Sequence, residues 1–167
     1  IAGNLTEITG HPHVADNHAI DGCSIPTYPL PLANLASAFA RFGVGEGGGQ
    51  VRDKAMRRIR DACLAHPEMV GGSEKFDTLF MRALGGRVFT KTGAEGVFVA
   101  AIPEKGIGLA LKVRDGADRA SQVAVAGLVE SLVELDEVTR KSLSSLVNPQ
   151  LFNWNGLRVG EISGRLS

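Results

Sequence analysis

A lysine, a hydroxyl and a glycine stand in a row at Lys91-Thr92-Gly93. An ammonium attracts a carboxylate or an oxyanion, a threonine hydroxyl can hydrogen-bond it, and a glycine lets a ligand come close to the backbone. Lys91 and Thr92 are therefore the candidate catalytic residues, and Gly93, Glu95 and His66 are candidates for substrate binding. Glu95 follows two residues on. It is either a partner to Lys91 or a carboxylate of the turn. His66 and Glu68, in His66-Pro67-Glu68-Met69-Val70-Gly71-Gly72, are candidate acid–base groups. For His66 the plainer role is a helix-end cap. Cys23 lies in Asp21-Gly22-Cys23-Ser24-Ile25-Pro26-Thr27-Tyr28-Pro29-Leu30-Pro31, where three prolines in six residues forbid a helix. This is a rigid polar loop with an acid, a thiol and hydroxyls close together. By itself one cysteine makes no metal site, and Cys23 reads as a small apolar residue. His11-Pro12-His13 reads as surface loop rather than metal arm, because the proline breaks the strand that would aim both rings one way.

These groups need elements to hold them. Val88-Phe89, Glu95 to Ile102 and Ile107 to Val113 read as three short strands. Ile107, Leu109, Leu111 and Val113 alternate with smaller or polar neighbours, the period of a half-buried strand. Pro103 to Gly106 is turn chemistry. Lys91-Thr92-Gly93 thus falls at the end of the first strand. Helices are expected from Pro31 to about Phe42, from Val51 to Ala65, from Glu74 to Leu84 with Ser73 as cap, after Gly116, and from Asp136 to Val147. In the second of these, Val51, Ala55, Ile59, Ala62 and Cys63 should form the apolar face, with Cys63 in the core, and the arginines the solvated one. Gly45 to Gly49 is a linker, since the Gly-Lys-Ser/Thr ending of a phosphate loop is missing. Leu157 to Ile162 reads as a last strand, and Trp154 as a packing lid or pocket wall. The fold class is α+β, an antiparallel sheet covered by helices.

At 167 residues the chain is expected to form one domain. Eighteen basic residues balance eighteen acidic ones, which gives no support for nucleic acid or an acidic membrane surface as partner. No apolar run approaches the roughly 20 residues of a membrane span. Two cysteines make no disulfide framework, and reduced thiols in a cytoplasmic protein are expected.

Four blocks occur in order: DGCSIPTYPLPLANLASAFARF, HPEMVGG-x-x-KFDT, KTGAEGV and GLALKVRDG-x-x-RA. Together they resemble the later half of the rhizobial-type L-asparaginases, also called L-asparaginase II or class 3, over about Ile20 to Ala120. The resemblance implies a fold similar to part of the serine β-lactamases and penicillin-binding proteins. It implies hydrolysis of asparagine to aspartate and ammonia by a serine in a Ser-x-x-Lys arrangement. It also implies a zinc site, to which a Cys-Ser-Gly-Lys-His stretch gives a cysteine and a lysine, and the DGC block a second cysteine, here Cys23. Lys91 matches the lysine before the GAEG block, and is expected to be partly buried and to relay protons.

Neither Ser-x-x-Lys nor Cys-Ser-Gly-Lys-His occurs in the sequence, so the zinc site is incomplete in this chain. The chain opens on Ile1 rather than methionine and is expected to be the later half of a longer enzyme. A missing N-terminal half or a homo-oligomer would complete the site for a small-molecule amide. Self-association, or an apolar patch at the strand edges, is expected. Two other readings are a non-catalytic module that associates with another chain, and an amidohydrolase acting on glutamine or a β-lactam.

Overall fold

The computed structural model describes residues 1–164. Helix α1 (Ala2–Thr9) leads into a two-residue antiparallel pair, β1 (Ala19–Ile20) with β2 (Pro26–Thr27). Helices α2 (Leu32–Val44), α3 (Gln50–Ala65), the single turn α4 (Glu68–Gly71) and α5 (Phe76–Ala83) follow. The sheet is a meander of β3 (Phe89–Thr92), β4 (Val97–Ile102) and β5 (Ile107–Lys112), in the order β3-β4-β5. Then come α6 (Asp118–Leu132), α7 (Glu137–Val147), and a separate ribbon of β6 (Gln150–Phe152) and β7 (Arg158–Glu161).

The meander confirms the period-two reading, and the α+β class stands: a small antiparallel sheet packed between helices. Alternation splits β4 between two cores. Phe98, Ala100 and Ile102 join Val125 and Val129 of α6, Leu143 and Val147 of α7, and Phe76 and Phe80 of α5. On the other side Ala101 and Phe89 join Phe39 and Phe42 of α2 and Cys63 of α3. Gly108 lets α2 lie flat on β5: a Cβ there would overlap the Ala36 carbonyl oxygen and the Ala40 amide. Gly43, expected to end α2, stays inside it, with only 3.0 Å from its would-be Cβ to the Ala101 Cβ. The helix ends instead at Gly45, whose left-handed φ of 71° suits glycine.

Several expectations change. The first residues, whose sequence shows little periodicity, form a helix. Arg41 donates to the Glu7 and Ile8 carbonyls and Asn34 to that of Thr9, so α1 takes its C-terminal partners from α2. Helix α3 is rotated relative to its expected faces. Val51, Ala55, Ile59 and Ala62 are exposed, and Met56 is buried. Arg57 and Arg60 turn toward α2 and donate to the carbonyls of Gly45 and Gly43, each at 2.6 Å. Free carbonyls at a helix end draw guanidinium groups more strongly than water-facing positions do. Helix α5 begins at Phe76 without a side-chain cap, so Ser73 does not cap it. The last strand pairs with β6 outside the sheet, and Trp154 at its turn is fully exposed rather than a lid. Exposed large apolar side chains gather on α3 and on this ribbon, not at the edges of the three-stranded sheet. Among the described residues no helix is long and apolar enough to cross a membrane.

Asp136 caps α7 by accepting from the Thr139 amide at 2.7 Å. That bond holds its carboxyl below the usual value. A depressed carboxylate adds stability above its unfolded pKa, near 3.9, and loses it as pH falls through the folded value. Asp136→Ala should therefore melt below the native protein at pH 7, and the gap should narrow as the pH falls below about 4, as followed by circular dichroism. Thr90 is fully buried on β3, and its hydroxyl finds no partner among the described residues. An unpaired buried hydroxyl opposes folding, so Thr90→Val should raise stability by roughly 1 kcal/mol in a urea titration.

Candidate functional site

The HPEMVGG and KFDT blocks fold into one support for the end of β3. Thr78 is buried, and its hydroxyl donates to the Gly72 carbonyl at 2.6 Å, with the Pro67 carbonyl at 3.0 Å. This ties the loop containing α4 to the first turn of α5. Phe76 stacks on Phe80 and meets the edge of Phe98, which anchors α5 in the core. Between Phe76 and Thr78, Asp77 is only 3% exposed. Its carboxylate accepts from the Thr92 amide at 2.9 Å and from the Thr92 hydroxyl at 2.7 Å. Strand β3 is an edge strand, and Asp77 takes the outward amide that would otherwise be open there. Gly71 lets this happen: a Cβ at that position would lie 2.9 Å from the Asp77 Cβ.

Beside this clamp is a pocket of about 240 Å³. Lys91 and Thr92 of β3 form one side, Lys75, Phe76 and Asp77 a second, and Asp118 and Gln122 of α6 a third, with Gly71 between them. Lys91 is exposed, not partly buried, and its ammonium donates to the Thr92 carbonyl at 2.6 Å. A larger hollow of about 580 Å³ lies between α7 and the ribbon. Its lining, mostly serines and amides with Glu161, holds no lysine, thiol or histidine. The smaller pocket has the greater chemical capacity.

The other candidates lie elsewhere. The Gly93 amide donates to the Val97 carbonyl at 2.8 Å, and the space of its missing side chain is filled by Val97, 3.0 Å away. Gly93 closes a hairpin, and its amide is not free for an oxyanion. Glu95 sits in that hairpin turn with a left-handed φ of 56°, near Gly116, and does not line the pocket. His66 is exposed, 3.7 Å from Glu68. Glu68 also pairs with Arg82 at 2.9 Å. Its own backbone amide and then Arg82 hold its carboxyl below the usual value. Glu68 thus pairs with Arg82 at the surface beside His66, and both Glu68 and His66 lie outside the pocket.

Cys23 is exposed, and its thiol lies 3.6 Å from the Asp21 carboxylate. Two donors fall short of the three protein ligands of a catalytic zinc. Among the described residues no group of three or more His, Cys, Asp or Glu is gathered around a common point. These residues do not by themselves fit zinc. His13 and His18 instead pack against Tyr28, with ring centroids 5.6 and 5.7 Å apart. Asp77 was missed from sequence, though a signal exists: an acid inside the apolar face that Phe76, Phe80, Met81 and Leu84 give α5.

A sequence model of the L-asparaginase II family matches residues 1–164. No curated protein matches the chain. The family match spans nearly the whole sequence, and the chain belongs to the L-asparaginase II family.

Proposed function

We propose that this member of the L-asparaginase II family takes part in hydrolysis of L-asparagine to aspartate and ammonia, with the Lys91–Thr92 edge as one wall of the site. The family match over residues 1–164 carries this reading. It is supported by the exposed ammonium of Lys91 at a pocket whose edge strand Asp77 holds in place. Amide hydrolysis needs an activated nucleophile, a group to stabilise the oxyanion, and a proton for the leaving ammonia. The Thr92 and Gly93 amides are both engaged, so Lys91 is the group here that stabilises negative charge and hands on a proton. The nucleophile comes from outside this sequence, which has no Ser-x-x-Lys. A polypeptide segment that carries such a motif supplies it.

The test is ammonia release from L-asparagine and L-glutamine, with a chromogenic β-lactam beside them, by the product of the complete reading frame. Turnover of asparagine at least about tenfold above the other two is expected. Association with another polypeptide and no turnover of any substrate would favour the non-catalytic module, which the missing nucleophile motif also suits.

A further inference from the structure

The end of β3 presents a donor and an acceptor to the same small space. Lys91 and Thr92 both line the pocket of about 240 Å³. The ammonium of Lys91 can only donate, whereas a threonine hydroxyl can donate or accept. At Thr92 the choice is made by Asp77, which is only 3% exposed. Its carboxylate accepts from the Thr92 amide at 2.9 Å and from the Thr92 hydroxyl at 2.7 Å. An ionised carboxylate only accepts, so the hydroxyl hydrogen points at Asp77 and away from a ligand. Among the described residues the Thr92 side-chain oxygen accepts no hydrogen bond, and its lone pairs are what it offers the pocket. A primary carboxamide has the matching pattern, since its carbonyl oxygen accepts and its NH2 group donates. A carboxylate of the same shape only accepts. It suits Lys91, but it sets an oxygen against the Thr92 lone pairs, with the Asp77 charge behind them.

We propose that Thr92, oriented by Asp77, distinguishes the carboxamide of the substrate from the carboxylate that replaces it on hydrolysis. Lys91 meets the carbonyl oxygen of the scissile amide, and the Thr92 oxygen accepts from its N–H. Thr92 thus touches the substrate, and Asp77 is a positioning residue. The ammonium groups of Lys75 and Lys91 attract the product carboxylate, and the Thr92 lone pairs oppose it. This role of Thr92 rests on the amide-hydrolase reading, but the preference it creates is measurable without turnover.

The test is the ratio of Ki for L-aspartate to KM for L-asparagine in the full-reading-frame protein and three variants. In Asp77→Asn the side-chain nitrogen donates to the Thr92 oxygen, and the hydroxyl hydrogen is released to meet a carboxylate. The ratio should fall at least about tenfold, the scale of exchanging one hydrogen-bond partner at a charged group. Thr92→Val removes the oxygen and should also lower the ratio, through a higher KM. Thr92→Ser keeps the hydroxyl and should retain the native ratio. Circular dichroism checks that each variant is folded. A loss of packing alone would weaken both ligands together and leave the ratio where it is. An unchanged ratio in folded Asp77→Asn and Thr92→Val, or a Thr92→Ser ratio as low as that of Thr92→Val, would overturn the role of Thr92. If asparagine is not hydrolysed, the hydrolase reading fails, and calorimetric titration with the same two ligands gives the ratio as dissociation constants. Binding of neither ligand then overturns the role of Thr92 as well. If asparagine is hydrolysed and the ratio does not move, the role of Thr92 falls alone.

Discussion

Asp77→Ala is expected to lower stability by about 2–4 kcal/mol, because it removes the acceptor of two hydrogen bonds at once. The Thr92 amide and hydroxyl would be left at the edge of β3 with only the pocket's water to meet them. Asparagine turnover should fall about a hundredfold, since Lys91 and Thr92 lose the anchor that fixes the strand end, and small misplacements of reacting groups cost that much. Asp77→Asn separates the two effects. Its oxygen can still accept from the Thr92 amide, and its amide nitrogen can donate to the Thr92 oxygen. The fold should persist, with a melting temperature within a few degrees of the native one. The threonine proton would then turn away from residue 77 and into the pocket that Lys75 and Lys91 line. KM for asparagine should rise while kcat changes little. A purely structural role for Asp77 would leave KM for Asp77→Asn unchanged.

Gly108→Ala should be more damaging to the fold than any surface change. The new Cβ would overlap backbone atoms of α2 at Ala36 and Ala40 and sit 2.9 Å from the Phe39 carbonyl carbon. Backbone of a packed helix cannot give way as a flexible side chain can, so α2 must lift from the sheet. That movement would open the contact of Phe39 and Phe42 with Phe89 on β3. The expected cost exceeds about 3 kcal/mol, equivalent to a melting temperature lowered by roughly 10 °C, measured by calorimetry. Gly160→Ala is the control. The atom nearest its added Cβ is the tip of Leu151, at 3.8 Å on the exposed ribbon, and the melting temperature should hardly move.

The three strands were legible because each carries its own pattern. Period-two alternation marks the strand of Ile107, Leu109 and Leu111, and Val88-Phe89 followed by Lys91-Thr92-Gly93 places Lys91 at the end of another. The α7 boundaries were legible for the same local reason: Asp136 caps the start and Asn148-Pro149 closes the end. What failed depends on partners distant in sequence. Helix α3 has apolar and basic residues on different stripes, and periodicity alone puts the apolar stripe inward. The open carbonyls of α2 decide otherwise, and they lie twelve and seventeen residues from the arginines that reach them. The same holds at the pocket. Lys91, Thr92 and Gly93 were visible as types, but the direction of the Thr92 hydroxyl depends on Asp77, fifteen residues earlier. The Gly93 amide was assigned to substrate because the hairpin bond to Val97 could not be seen. Residue types showed which groups could act, and the packing of α5 against β3 decided which remain available.

The central claim is that Lys91 serves amide hydrolysis from the edge of β3. Its most direct test is ammonia release from L-asparagine by the full-reading-frame protein and by Lys91→Met, with circular dichroism of both. Methionine keeps the length and packing of the side chain and removes the charge. The variant should fold as the native protein does, since Lys91 is exposed and its one bond is to a neighbouring carbonyl. Its kcat should fall by about 10²–10⁴, the range for loss of a positioned proton-transfer group. A folded Lys91→Met protein that releases ammonia at the native rate would contradict the claim.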